Sequence, residues 1–185
     1  GFYITREEYT YNNKIGGPSF YYYNNDHLLE EKKFVRSDSV TTVTRYFYDQ
    51  KRRLTSSERT YQDGKLSLFY YFYDNNDHLI LKEHHQNDSL IGFESYIYSN
   101  KGELISAYYE NFDQWLTGFL VFQRDSLNRI SNALFMNQKS SYDGKIVFFY
   151  DINNKLSQIV WNFPNGNFQK YTFYSMPHSP LRSRA

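Results

Sequence analysis

An aromatic run, then Asp or Asn, then a polar turn, then Leu or Ile recurs along this chain at nearly constant spacing. YYNNDHL ends at Leu28 and YFYDQKRRL at Leu54; YFYDNNDHL ends at Leu79 and YIYSNKGEL at Leu104; FQRDSLNRI ends at Ile130 and YDINNKL at Leu156. The intervals between these aliphatic residues are 26, 25, 25, 26 and 26. A fixed period of this size marks a repeated supersecondary unit that buries its apolar face against its neighbours. It constrains the fold tightly and leaves the function open.

Each unit reads as a hairpin. In the copy from Lys65 to His85, SLFYYFY is made of strand formers, and Asp74-Asn75-Asn76-Asp77 supplies turn residues whose short side chains bond nearby backbone. Leu79-Ile80-Leu81 restarts a strand, and Gln86 to Ser89 turns the chain again. Asp63-Gly64, Asp143-Gly144 and Asn165-Gly166 are further hairpin signals. Turns this short force antiparallel neighbours, because a parallel connection needs a crossover of about a dozen residues. The expectation is an all-β antiparallel meander of about 12–14 strands, built from hairpin repeats of about 25–26 residues. Six repeats follow a degenerate N-terminal strand pair, and so many strands should curl into a partial barrel or roll. Residues 1–175 form one domain, with 176–185, which carries Pro177 and Pro180, as a loosely attached tail. An open meander leaves edges near Tyr9–Asn12 and Phe168–Tyr174, so the chain should be a monomer or an edge-paired homodimer.

Face alternation adds detail. Tyr46 and Tyr48, Tyr71 and Tyr73, Tyr96 and Tyr98, Leu120 and Phe122, and Phe148 and Tyr150 share one parity; Phe47, Phe72, Ile97, Val121 and Phe149 hold the other. Large apolar groups thus occupy both faces. One column should be covered by curling, and the tyrosine hydroxyls should reach water or backbone. The returning strands change along the chain, from the polar Thr55–Arg59 to Ala133-Leu134-Phe135-Met136 and Ile159-Val160-Trp161. The middle and C-terminal half should be the better-covered part.

Composition excludes several functions. Tyr occurs 20 times and Phe 16, but Cys is absent, which removes disulfides, cysteine-ligated zinc and thiol catalysis. The 21 basic and 20 acidic side chains leave a net charge of +1, with no pull towards nucleic acid. No run of about 18 apolar residues offers a transmembrane helix. The basic cluster Lys51-Arg52-Arg53 falls in a predicted turn.

Catalytic and metal signals are poor. His27 and His78 both stand in Asp-His-Leu, but the intervening copy has Arg53, a cation that opposes metal binding; neither metal nor cofactor is expected. His84 and His85 point to opposite faces. Glu30-Glu31, and Glu58 with Glu83, read as a surface stripe, and no Ser-His-Asp set, phosphate loop or HExxH motif is present. The better lead is aromatic: Tyr108, Tyr109, Phe112 and Trp115 crowd the fourth unit, and Trp161 follows in the sixth. Such rings stack on a sugar, a polymer or a protein partner.

The phrase aromatic-x-aromatic-Asp-x-x-x-x-Leu, as at Tyr46–Leu54 and Tyr71–Leu79, resembles the YD-type repeats of RHS-like bacterial proteins; YDINNKL is a weaker copy. The resemblance implies a long meandering sheet, which in large members of that family spirals into a shell around a partner or toxin domain. Here the period is longer and the glycine before the tyrosine run is largely missing, as in a small divergent relative. From the resemblance follows a bacterial setting in the cell envelope, with periplasmic, outer-surface or secreted locations favoured over the cytoplasm. The sequence then favours a non-catalytic binding or scaffold module for protein–protein contact. The alternatives are a carbohydrate-binding module using the exposed aromatics and a small glycan-active enzyme with a carboxylate pair.

Overall fold

The computed structural model describes residues 2–36, 39–111, 117–137 and 144–177. They form fourteen strands: β1 (Phe2–Tyr11), β2 (Lys14–Tyr23), β3 (Leu29–Arg36), β4 (Ser39–Tyr48), β5 (Leu54–Tyr61), β6 (Leu66–Tyr73) and β7 (Leu79–Gln86) in the first half. The second half holds β8 (Ser89–Tyr98), β9 (Leu104–Asn111), β10 (Gly118–Arg124), β11 (Ile130–Asn137), β12 (Gly144–Tyr150), β13 (Leu156–Asn162) and β14 (Phe168–Pro177). Every strand pairs antiparallel with the next, and no described residue is helical. The meander of hairpins expected from the spacing is therefore present.

Its edges are not. β14 pairs back onto β1, from Phe2↔Pro177 to Tyr11↔Gln169, and the sheet closes into a barrel. The two segments read as free edges are each other's partners, so neither is left to recruit a second copy. Twist accumulated over fourteen strands brings first and last together, and closure satisfies two rows of backbone donors and acceptors at once. Met176 and Pro177 belong to β14 and not to a tail; residues 178–185 lie outside the described residues.

The aromatic turns share one chemistry. Asp74 Oδ1 accepts from the amides of Asn76 (2.9 Å) and His78 (2.8 Å), as Asn24 does from Asp26 and Leu28 (3.0 Å each) and Asp151 from Asn153 and Lys155 (2.8 and 2.9 Å). The residue three places on sits at positive φ: His27, Arg52, Asp77, Asn128 and Asn154 at 61–66°, and Gly102 at 77°. A bulge then shifts the register beside each turn, as between Phe72 and Tyr73. The last tyrosine of the run reaches back to the preceding hairpin. Tyr23, Tyr48, Tyr73, Tyr98 and Tyr150 donate to the carbonyls of Ile4, Leu29, Leu54, Leu79 and Ile130 at 2.8–2.9 Å.

These contacts correct two alignments. The first copy restarts its strand at Leu29, not Leu28, so His27 is the counterpart of Asp77, and Leu28 that of His78. In β10, Arg124 takes the tyrosine's place, its Nη2 lying 3.4 Å from the Leu104 carbonyl. Phe122 therefore matches Tyr96, and exposed Gln123, not Val121, matches Ile97.

Inside the barrel, Tyr21, Tyr46, Tyr71, Tyr96, Phe122, Phe148 and Phe173 occupy one level. The returning strands interpose smaller or flexible groups there. Ala107 pairs with Tyr96 on one side and Leu120 on the other, and Ala133 with Phe122 and Ile146; both alanines are 0% exposed. Alternation of large and small fills a lumen that side chains of one size would leave porous. An apolar cluster of Ala107, Leu120, Ala133, Phe135 and Ile146 lines the β9–β12 wall. The outer face is mixed. Tyr22, Phe47, Phe72, Ile97, Phe149 and Tyr174 are exposed at one level, but Arg45 lies 3.5 Å and Lys33 2.9 Å from Glu31 in mid-strand. On β3 and β4, therefore, charged side chains stand among the outward rings, where the outer band of a lipid-facing barrel is apolar.

Candidate functional site: a polar wall in the lumen

The inward parity that carries alanine and leucine on β9–β12 carries charge on β1–β8. Glu7, 8% exposed, accepts from the Tyr21 hydroxyl (2.7 Å), Ser19 (3.3 Å) and Lys32 Nζ (3.1 Å). Fifty residues on from Lys32, at the matching place, Lys82 Nζ lies 2.6 Å from Glu94, which also accepts from Tyr96 at 2.5 Å. Each carboxylate is thus held by a lysine and a phenol. Burial first, and then the adjacent carboxylate, push the phenols of Tyr21 and Tyr96 well above their ordinary range.

Between these pairs stands Arg59. Three basic side chains surround the ring of buried Phe69. Arg59 Cζ is 5.1 Å and Lys82 Nζ 5.2 Å from its centroid, and the His84 ring stacks on it at 4.3 Å. Burial lowers the His84 pKa, and Arg59 and Lys82 lower it further, so the imidazole is neutral at pH 7. Arg59 has no carboxylate partner among the described residues, unlike Lys32 and Lys82. It borders a cavity of about 240 Å³ lined also by Tyr9, Tyr46, Tyr61 and Tyr171, by Ser19, Phe34, Thr42 and Thr44, and by the Glu7–Lys32 pair. The hydroxyls of Tyr9, Tyr46, Tyr61 and Tyr171 find no hydrogen-bond partner among the described residues. Those of Tyr46 and Tyr171 are pushed up to about 12, mainly by burial. A second cavity, about 100 Å³, lies beside Phe69, Lys82, His84 and Glu94.

The aromatic residues singled out from the sequence do not share one surface. Tyr108 faces outward, 4.8 Å from Phe119, with its hydroxyl on Glu110 at 3.0 Å. Tyr109, its neighbour, necessarily faces inward, against the apolar cluster. Trp161 is also inward, 5.7 Å from Phe135 and 5.5 Å from Phe163. Phe112 and Trp115 lie outside the described residues. Among the described residues, no group of three or more His, Cys, Asp or Glu side chains is placed to hold a metal. His78 instead stacks on Tyr98 at 4.6 Å with Nδ1 3.1 Å from Asp74, and Arg53 bridges Asp49 (2.8 Å) and Asp77 (2.6 Å) between adjacent turns. Of the polar residues in the lumen wall the sequence singles out none as a site: Arg59 reads there only as the end of a polar strand and His84 only as half of a pair split between two faces, while Glu7, Lys82 and Glu94 carry no motif. Parity could have found them: Ser57 and Arg59 stand where Ala107 and Tyr109 stand two units later, and polar residues at core positions are the informative exceptions.

No family model matches the chain, and no curated protein matches it. Among solved structures it is similar to a porin-like protein from Bacteroides uniformis. The TM-score is 0.55 at 11% identity, covering 94% of this chain and 96% of that one. At this identity the likeness is one of fold. A chain of the Photorhabdus luminescens Tc holotoxin pore matches at 14% identity over 86% of this chain and 9% of its own length. Its TM-score of 0.37 is too low to speak for a shared fold.

Proposed function

We propose that the barrel is a non-catalytic binding module of the bacterial envelope or exterior, taking a small ligand or the end of a polymer into the lumen cavity beside Arg59. The observation that carries this reading is a cavity lined by four tyrosines, Tyr9, Tyr46, Tyr61 and Tyr171, whose hydroxyls have no hydrogen-bond partner among the described residues. Aromatic faces with free hydroxyls suit a sugar, which offers apolar ring faces and many hydrogen-bonding groups. At about 240 Å³ the cavity falls below the roughly 300–1,000 Å³ of drug-sized sites, which favours a single ring. The lysine and tyrosine contacts of Glu7 and Glu94 speak against a free carboxylate pair and hence against the enzyme reading. The porin-like fold neighbour supports an envelope setting, and the outward Glu31, Lys33 and Arg45 favour water over lipid beside β3 and β4. The tyrosine–aspartate turns support descent from YD-type repeats.

Titration of the full chain with monosaccharides and their short oligomers, followed by intrinsic fluorescence and calorimetry, tests the reading. A saturable response that disappears when Ser19→Phe fills the cavity is the expected result. A response that survives Ser19→Phe, or none from any sugar, would overturn it.

A further inference from the structure

The lumen site, if it takes a ligand as proposed above, has a charge preference built into it. Three of the inward side chains of the lumen are lysine or arginine, and two of those are paired within the protein: Lys32 with Glu7 at 3.1 Å and Lys82 with Glu94 at 2.6 Å. Arg59 is the exception. Its guanidinium leans on Phe69, borders the cavity, and meets no carboxylate among the described residues. Its cross-strand partners are Thr44 and Ser67, which bring no charge. A cation set into a half-buried wall without a counter-charge is costly to the fold, which would lose little by neutralising it. Guanidinium also presents a planar fork that fits a carboxylate or an oxyanion in two parallel hydrogen bonds.

We propose that Arg59 is the anion-recognising group of this barrel, and that the lumen ligand carries a carboxylate or a sulfate or phosphate group held by Arg59 while its body lies against Tyr46 and Tyr61. Several features of the wall agree. The unpartnered phenols of Tyr46 and Tyr61 are additional donors and are not competing acceptors of charge. His84, which in neither protonation state is a counter-anion, stands beside Arg59 with its Nε2 buried and without a hydrogen-bond partner. The class of ligand that fits is an acidic sugar or a small oxyanion, not a cation and not a neutral hexose.

The test uses the full chain and three probes at constant ionic strength: glucuronate, glucose as its neutral match, and inorganic sulfate. Calorimetry should show glucuronate binding at least about tenfold tighter than glucose, the fold-change expected of one charge-assisted hydrogen-bonded pair. Arg59→Gln should abolish that preference without lowering the ligand-free Tm, whereas loss of a purely structural arginine would lower it. Thr42→Glu places a carboxylate diagonally across the β4–β5 pair and should occupy Arg59 from within. It should remove glucuronate binding and raise the ligand-free Tm. Sulfate binding without glucuronate binding would support the anion site and assign it to a free oxyanion. Equal affinity for glucuronate and glucose, a preference that survives Arg59→Gln, or no response to either anion would overturn the proposal. Equal, measurable affinity for the two sugars would leave lumen binding intact, because that reading falls only if no sugar binds or if binding survives Ser19→Phe.

Discussion

Two tyrosines two residues apart, Tyr46 and Tyr48, do different jobs. The Tyr48 hydroxyl gives its hydrogen bond to the Leu29 carbonyl at 2.8 Å and ties one hairpin to the one before it. Tyr46 lines the cavity, and its hydroxyl gives its hydrogen bond to no described residue. Tyr48→Phe should therefore cost about 0.5–1.5 kcal/mol in urea denaturation, the worth of a net hydrogen bond, and Tyr46→Phe close to nothing. Equal losses from the two would mean that their roles are not distinct. The buried phenols also set an alkaline limit. Tyr46 and Tyr171 are pushed from 10.0 up to about 12, so at any pH below 10.0 they are protonated in folded and unfolded chains alike and stability is intact. Between 10.0 and about 12 the unfolded chain releases protons that the folded chain keeps, and stability falls as pH rises. Phenolate absorbance should show a late-titrating fraction that appears only with unfolding. Titration of every tyrosine together near 10, with the fold intact, would contradict this.

At the scale of the hairpin, the aromatic turn is the organising element, and its aspartate holds it together. Asp74→Ala removes acceptors for two amides and leaves Asp77 at φ 63° without local support. The expected loss is about 1–2 kcal/mol by denaturation, comparable to removing a helix cap. Such turns were legible because Asp and Asn bond their own backbone, a local chemistry that sequence displays directly. The first copy misled because NNDHLL offers two leucines. Only the 3.0 Å bond from the Leu28 amide to Asn24 shows that Leu28 closes the turn and Leu29 opens the strand. The β10 copy misled because Arg124 performs the tyrosine's reach with a different side chain. Arg59 escaped notice for a related reason. Thr55–Arg59 looks polar throughout, and only its pairing with Thr44 and Ser67 shows that Arg59 points into the lumen.

For the whole molecule, the decisive feature is the seam between β1 and β14. It turns a curled sheet into a barrel, gives the inward residues an enclosed space, and brings Tyr9 within 5.2 Å of Tyr171 on the cavity wall. The seam was not legible in the sequence. Hairpin signals are local, while closure depends on twist and stagger summed over the whole sheet, and no single residue records that sum. The chain has no cysteine, which makes the seam directly testable. Thr10 and Lys170 are outward-facing partners across it, 160 residues apart in sequence, and the Cα atoms of antiparallel partners are about 4.5–5.5 Å apart, within disulfide range. In the double variant Thr10→Cys/Lys170→Cys, mild oxidation should give an intramolecular disulfide in nearly every monomer. The circularised chain should migrate faster on a non-reducing gel, and the disulfide should add about 2–4 kcal/mol of stability. Free thiols after oxidation, or disulfides only between chains, would mean that the sheet stays open and that the lumen does not exist.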